Sequence, residues 1–329
     1  MNNETSVRRL KRSSSLPAPV LSIIVPVKDE EEAIPAFLER VRTALEELDD
    51  PAGRSFEILF VDDGSSDGTL AQLRSAHAAD PRVRAVSLSR NFGKEAAVSA
   101  GLDRARGEAV VPMDVDLQDP PEALSGMLTK WREGFEVVYG VRRNREHDSI
   151  PKRLTADFFY RVHNWLSTDK IPEHAGDFRL LDRKVVDVIR ALPERNRFMK
   201  GLFAWAGFRQ AAVFYSRQAR QAGTSKFGYW KLWTFALDGI TSTSTVPLRI
   251  WSYLGGLIAL FALAWAAFIT VRTLVLGIDL PGYASIIVAV LFLGGLQLLS
   301  LGIIGEYVGR ILVEAKQRPV YVVRENVGE

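Results

Sequence analysis

The chain has 329 residues, enough for a sizeable core in one or two domains, and a formal charge of +3, too small alone to argue for a nucleic-acid partner. It has no cysteine, which excludes disulfides, thiolate metal sites and cysteine nucleophiles. Its histidines, His77, His147, His163 and His174, lie apart without metal-ligand spacing and read as solvated or core residues.

Residues 1–19 carry basic side chains with no apolar run behind them, so they read as a disordered tail rather than a signal peptide. Arg9, Lys11 and Arg12 in it suit anionic headgroups. From Val20 the pattern alternates short apolar runs with helix-like stretches. "VLSIIVPV" predicts a buried strand, and residues 31–48 a helix. "FEILFVDDG" is a second strand, and "SDGTLAQLRSAHAAD" a helix with Ser66 or Asp67 as its cap. "VRAVSLS", "EAVVPMDVD" and "FEVVYGVR" are the third to fifth strands. Helices "GKEAAVSAGLDRA" and "PPEALSGMLTKWREG" lie between them, the latter opened by its prolines. This alternation predicts an α/β fold with a mostly parallel sheet covered on both faces.

In such sheets ligands sit outside the carboxyl ends of the strands. Those ends carry "PVKDE", "DDGSSDG", "SRNFGK" and "DVDLQD". None holds a G-x-G-x-x-G or a P-loop, which argues against dinucleotide oxidoreductases and P-loop NTPases. Carboxylates cannot cradle a diphosphate unaided; a hard cation such as Mg²⁺ or Mn²⁺ can sit between them. In "MDVDLQDPPE", Asp114, Asp116 and Gln118 alternate with Val115 and Leu117. An extended segment would gather those oxygen ligands on one side.

Residues 150–250 lead toward an apolar C-terminal region. "RLTADFFYRVHNWLS" and "SKFGYWKLWTFALDGI" are amphipathic and suit either the headgroup layer or the core. Residues 250–271 and 280–305 carry no charge and exceed the length needed to cross a bilayer. The short link "RTLVLGID" makes them a hairpin. Arg249 precedes it and Arg310, Lys316 and Arg318 follow, which puts both ends in the cytoplasm. Glu306, beside the second span, has basic residues within reach. Small residues in "GGLIALFALAW" and "FLGGLQLLSLGIIG" suit close helix packing, so a homo-oligomer is expected.

Seven segments in order, "SIIVPVKDEE", "VDDGSSDGT", "LSRNFGKEAA", "MDVDLQDPPE", "GDFRLLDR", "NRFMKG" and "RQAGTSK", resemble the polyprenyl-phosphate glycosyltransferases. These are inverting family 2 enzymes of GT-A (Rossmann-like) fold, and the resemblance runs from about Leu21 to Val320. It implies a membrane-bound enzyme that moves one sugar from a nucleotide-sugar to polyprenyl phosphate at the cytoplasmic face of a bacterial inner membrane. Pro26, Val27, Asp29 and Glu31 would line the nucleotide pocket, with Asp62 and Asp63 on the base or ribose and Lys94 on the nucleotide or diphosphate. Asp114, Asp116 and Gln118 would hold Mg²⁺ or Mn²⁺, Asp116 nearest the ion. Arg142 matches a loop arginine near the acceptor, and Arg220 and Lys226 a basic pair that closes on phosphate. Arg179, Arg197 and Lys200 are further candidates for the same electropositive site.

Val27 departs from the aromatic common in the mannose synthases of this family, which leans the donor toward a UDP-sugar such as UDP-glucose. GDP-mannose stays an alternative. The Q-x-x-R-W of the processive polysaccharide synthases is missing, which counts against a polysaccharide-forming enzyme. A membrane-tethered binding or scaffold protein is the non-catalytic alternative. The expected organisation is a tail over 1–19, a GT-A domain over 20–225 and an interfacial region over 226–249. A transmembrane hairpin over 250–305 and a cytoplasmic segment over 306–329 complete it.

Overall fold

The structure, a computed structural model, describes residues 18–142, 175–195, 197–216, 246–276 and 282–328. Arg220, Lys226 and the proposed interfacial helices fall outside the described residues.

The strands anticipated from alternating apolar runs form one sheet. They are β1 (Leu21–Val27), β2 (Phe56–Asp62), β3 (Val83–Leu88), β4 (Ala109–Pro112) and β5 (Val137–Arg142). Helices α1 (Ala33–Glu46), α2 (Thr69–Ala79), α3 (Lys94–Arg104) and α4 (Ala123–Arg132) separate them. The cap position of α2 is Gly68 rather than Ser66 or Asp67; Asp67 stands just before it, its Oδ1 accepting from the Thr69 N–H at 3.0 Å.

Three further strands join the sheet: β6 (Ala175–Asp182), β7 (Gln210–Tyr215) and β8 (Val323–Val327). The order is β7-β5-β6-β4-β1-β2-β3-β8. β4-β1-β2-β3 is a parallel block, whereas β6 runs antiparallel to both β4 and β5 and β8 runs antiparallel to β3. The sheet is mostly parallel, as expected, with β6 and β8 as its two reversed strands.

Period-2 alternation sorts side chains to the two faces. On one face Ile23, Val25, Ile58 and Phe60 pack against Phe37 of α1 and Leu124 of α4. On the other, Ile24, Leu59 and Val61 meet Val98 of α3, Ile189 of α5 (Arg183–Ala191) and Leu202 of α6 (Met199–Trp205). Both faces are covered, so the inner strands read as continuous apolar runs.

The amino end of the sheet is closed by a buried polar cluster. Glu57 accepts from Ser22 Oγ at 2.6 Å, Arg84 Nη1 at 2.8 Å and the Arg106 N–H at 2.7 Å. Burial pushes the Glu57 carboxyl up, but these donors outweigh it and hold it below the usual range. The carboxyl end is left for the site.

The apolar C-terminal region forms two long helices, α7 (Val246–Leu276) and α8 (Tyr283–Ala315). Their surfaces expose Tyr253, Leu257, Phe261, Ile286 and Leu298, side chains a water-facing helix would bury. Among the described residues one stretch, Phe292–Ala315, is long and apolar enough to cross a membrane; α7 carries a shorter apolar stretch, Tyr253–Ala262. Glu306 pairs with Arg310 at 3.0 Å, one turn on.

After α8 the chain returns to the head. Tyr321 donates to Asp103 Oδ2 at 2.8 Å and accepts from Arg104 at 2.7 Å, and β8 then pairs along β3. The segment after residue 306, expected as a separate cytoplasmic piece, is thus partly built into the sheet.

Candidate active site

Seven chain segments converge at the carboxyl edge of the parallel block. The loops after β1, β2, β3 and β4 arrive there because those strands are parallel. Antiparallel β6 delivers its beginning to the same edge, which brings Asp177 beside the acidic turn. β5 and β7 end together, with Arg142 opposite Tyr215.

The acidic segment is not extended as anticipated. β4 stops at Pro112, the chain turns at Val115 and Asp116, and Leu117 adopts a left-handed φ of 55°. Burial still alternates. Met113, Val115 and Leu117 are buried, while Asp114, Asp116 and Gln118 are partly open. The turn closes on itself through Asp116 Oδ1, which accepts from the Gln118 N–H at 3.1 Å.

A pocket opens beside this turn, lined by Pro26, Lys94, Glu95, Asp114, Asp119, Asp177 and Lys200, with Phe178 and Phe203 among its apolar walls. Four of these residues form a chain of opposite charges, Asp114–Lys94–Asp177–Lys200. Lys94 Nζ lies 2.7 Å from Asp114 Oδ1 and 3.5 Å from Asp177, whose other oxygen is 3.2 Å from Lys200. Burial lowers the Lys94 ammonium, yet Asp114 and Asp177 outweigh it and hold it above the ordinary lysine range. Burial likewise raises Asp177, but Lys200, Lys94 and Arg179 hold it well below the usual carboxylate range. Glu95 goes the other way. Burial and the nearby Asp177 charge push it up to about 7, although its carboxylate accepts from the Met199 N–H at 3.3 Å.

A second cluster ties the acidic turn to the ends of β5 and β7. Buried Asp119 accepts a short hydrogen bond from the Tyr215 hydroxyl. Arg142 Nε donates to that hydroxyl at 3.3 Å, and its guanidinium is 3.8 Å from Asp119. Gly140 is required here, because a Cβ at that position would stand 2.6 Å from the Tyr215 ring.

The anticipated nucleotide residues divide. Pro26 reaches the pocket, whereas Val27 is buried in the core. Asp29 and Glu31 knit the loops after β1 and β2. Asp29 Oδ1 accepts from the Ser66 N–H at 2.7 Å and Glu31 Oε2 from the Gly68 N–H at 2.7 Å.

Asp62 and Asp63 are buried, and both are engaged within the protein. Asp62 accepts from Ser65 N–H at 2.9 Å and Ser87 Oγ at 2.7 Å. Asp63 accepts from the Phe92 and Gly93 N–H groups at 2.7 and 2.9 Å. In this structure they shape the loops around the pocket. Asp63 in particular fixes Gly93, at φ 98°, from which α3 and Lys94 begin.

Of the basic candidates, Lys94 and Lys200 line the pocket and Arg142 borders it through Asp119. Arg179 is buried with its guanidinium 4.7 Å over the Phe203 ring. Arg197 is turned away. It donates to the carbonyl oxygens of Leu192 and Glu194 at 3.0 and 3.2 Å, closing the loop after α5.

Asp177, Glu95, Asp119 and Tyr215 were not singled out from the sequence. Asp177 lies in the same "GDFRLLDR" segment as Arg179 and shares its parity, which was the available signal.

No cluster of three His, Cys, Asp or Glu groups forms a metal set among the described residues. A magnesium-type ion is commonly held by one or two carboxylates together with substrate phosphates, so Asp114, Asp116 and the Gln118 amide fit that requirement.

Comparison with known proteins covers both parts of the chain. Residues 22–190 match the family described as Glycosyl transferase family 2, and residues 246–311 match the GtrB C-terminal hairpin. An uncharacterized glycosyltransferase of Synechocystis sp. is 52% identical, over 93% of this chain and 95% of its own length. The SfII prophage-derived bactoprenol glucosyl transferase of Shigella flexneri is 48% identical, over 93% of this chain and 98% of its own. A prophage bactoprenol glucosyl transferase homolog of Escherichia coli is 46% identical, over 92% and 98%. The chain belongs to glycosyl transferase family 2, with a GtrB-type hairpin at its C-terminal end.

Proposed function

We propose that this protein transfers one glucose from UDP-glucose to a polyprenyl phosphate, with inversion at the anomeric carbon. The observation that carries the reading is correspondence over nearly the whole length, head and hairpin together, with relatives named bactoprenol glucosyl transferases. Lys94 and Lys200 in the pocket support it, since two anionic substrates held side by side need cations between them.

The acceptor sets the chemistry. A phosphate monoester has a second pKa near ~6, so at neutral pH it is largely a dianion and already a nucleophile. Its oxygen bonds to the anomeric carbon from one face, while the bond to the nucleotide diphosphate breaks on the other. No acceptor proton has to be removed, so the demand on the protein is electrostatic. Arg142 and Lys200 would receive the acceptor phosphate and Lys94 the diphosphate, with Arg220 and Lys226 the proposed partners from outside the described residues. Arginine suits phosphate because its fork donates two parallel bonds. Asp114, Asp116 and Gln118 would hold Mg²⁺ or Mn²⁺, which when bound neutralises charge on the departing diphosphate.

The fold bears on the membrane arrangement. The head precedes α7, and β8, which follows α8, pairs with β3 of that same head. Both ends of the hairpin therefore return to one side, so the number of crossings between them is even. If α8 spans, α7 spans as well. This supports a two-pass anchor in a bacterial inner membrane with a cytoplasmic head, where a lipid-borne phosphate can meet a soluble donor. The exposed apolar helix surfaces are compatible with a homo-oligomer.

The test is transfer of labelled sugar by the purified full chain from UDP-glucose into butanol-extractable lipid, with undecaprenyl phosphate as acceptor. Labelled lipid formed with UDP-glucose and not with GDP-mannose supports the proposal. Label recovered only in polymer, or only from GDP-mannose, overturns it.

A further inference from the structure

Lys94 stands where two needs conflict. Asp114 and Asp116 lie two residues apart where the chain turns after β4. In the structure Lys94 neutralises Asp114 directly, with Nζ 2.7 and 2.8 Å from its two oxygens. The same carboxylate belongs to the set proposed to hold a divalent cation. An ammonium bonded to both oxygens and a metal ion cannot occupy it together.

Two features make the contact replaceable rather than merely structural. The Lys94 side chain is about half exposed at 47%, so it has room to move. It also has a second partner already in place, Asp177, 3.5 Å away on the opposite strand. An ammonium leaving Asp114 can keep that ion pair, which limits the cost of displacement. Meanwhile its backbone does not drift, because Asp63 holds Phe92 and Gly93 immediately before it.

We propose that Lys94 is a built-in counter-ion for Asp114, which a divalent cation must displace onto Asp177 before the donor site is complete. The inference rests on the metal role assigned to Asp114 and Asp116 in the proposed function. Exchanging a monovalent for a divalent cation at Asp114 adds one positive charge beside the diphosphate. Because Lys94 itself stays in the pocket, the diphosphate then meets both. Metal alone binds weakly against this competitor, and metal accompanied by nucleotide binds well, so the two substrates of the donor site enter together.

The experiment is Mn²⁺ binding to the full chain without nucleotide, read from the electron paramagnetic resonance signal of free Mn²⁺. Lys94→Met keeps the length of the side chain and removes its charge; it is expected to tighten Mn²⁺ about 10-fold, the effect of roughly 1.4 kcal/mol. Lys200→Met removes a charge from the same pocket without touching Asp114, and is expected to change affinity by less than about twofold, as screened non-contacting charges do. Unchanged binding in Lys94→Met, or equal tightening in both variants, overturns the proposal. Asp116→Asn in the Lys94→Met background separates the two levels of the argument. Loss of the tightened binding supports the site, whereas retention shows that the ion is elsewhere and overturns the metal assignment beneath the proposal. Should Lys94→Met fail to fold, Lys94→Gln carries the same comparison.

Discussion

Tyr215 donates its phenol to the buried carboxylate of Asp119, and this one bond joins the end of β7 to the turn that carries Asp114 and Asp116. The same hydroxyl accepts from Arg142 Nε at 3.3 Å, so the acidic turn and a candidate acceptor arginine share a fixed point. Tyr215 is also the last residue of its strand, directly before the segment leading to Arg220 and Lys226. Tyr215→Phe keeps the ring on Gly140 and removes the bond. A buried carboxylate deprived of its donor costs about 1–3 kcal/mol. Small misplacements of reacting groups cost up to about 10²-fold in rate. We therefore expect lowered thermal stability and at least about 10-fold slower glucose transfer. Wild-type kinetics in this variant would remove the bond from the account.

Glu95 gives stability a pH dependence. Its carboxyl is raised from 4.5 to about 7 by burial first and by Asp177 second. Between those values the native protein holds a proton that the unfolded chain has released. Native protein thus binds more protons, and stability falls as pH rises through this window. Above about 7 the contribution is fully lost. Denaturant unfolding at pH 5 and pH 8 should show a drop of order 2 kcal/mol in the wild type. Glu95→Gln should flatten it. An equal drop in both proteins would assign the dependence to other groups.

Glu57 is the test of the opposite end of the sheet. Its carboxylate gathers Ser22, Arg84 and Arg106 where water does not reach. Removing one partner of a buried ionic cluster leaves the other charges uncompensated, at a cost of about 3–5 kcal/mol. Glu57→Gln should therefore lower the unfolding midpoint strongly. Transfer per folded molecule should not change, because Glu57 is remote from the pocket. A specific activity that fell in step with stability would show the two ends to be coupled.

The return of the chain after α8 predicts a consequence for the head. β8 covers the edge of β3, and Arg74 pairs with Glu325 across it at 2.6 Å. Deleting residues 321–329 exposes a row of unpaired backbone groups, which invites edge-to-edge association. The truncated protein should melt at lower temperature and elute as larger, heterogeneous species in detergent. Identical elution and melting would mean that β8 contributes nothing to the edge.

Much of the head was legible because its strands are short continuous apolar runs and its helices carry apolar faces. The five strands from Leu21 to Arg142 and the four helices between them follow from local pattern. β6, β7 and β8 do not, since their pairing is decided by partners far along the chain. β8 meets β3 across more than two hundred residues that no local window spans. The extended reading of "MDVDLQD" failed for a different reason. The strand ends at Pro112, the chain turns at Val115 and Asp116, and Leu117 takes a left-handed φ that its side chain does not announce. Buried apolar side chains nevertheless kept the alternation that the reading used.

The site was legible in part. Lys94, Asp114, Asp116 and Lys200 were named from motifs and lie at or beside one pocket. Asp62 and Asp63 look like ligand groups in a sequence, but backbone and hydroxyl donors inside the fold engage them. Arg197, named from the resemblance, donates to two carbonyl groups in this structure. Asp177 was overlooked because an antiparallel strand brings its first residues, not its last, to the ligand edge.

One comparison addresses the central claim directly. Purified wild type and Asp116→Asn are each given UDP-glucose, undecaprenyl phosphate and Mn²⁺, and glucose in the lipid fraction is counted over time. The account predicts steady lipid labelling by the wild type and its loss in the variant, with unfolding curves that coincide. Labelling at the wild-type rate by Asp116→Asn under the same conditions would contradict it.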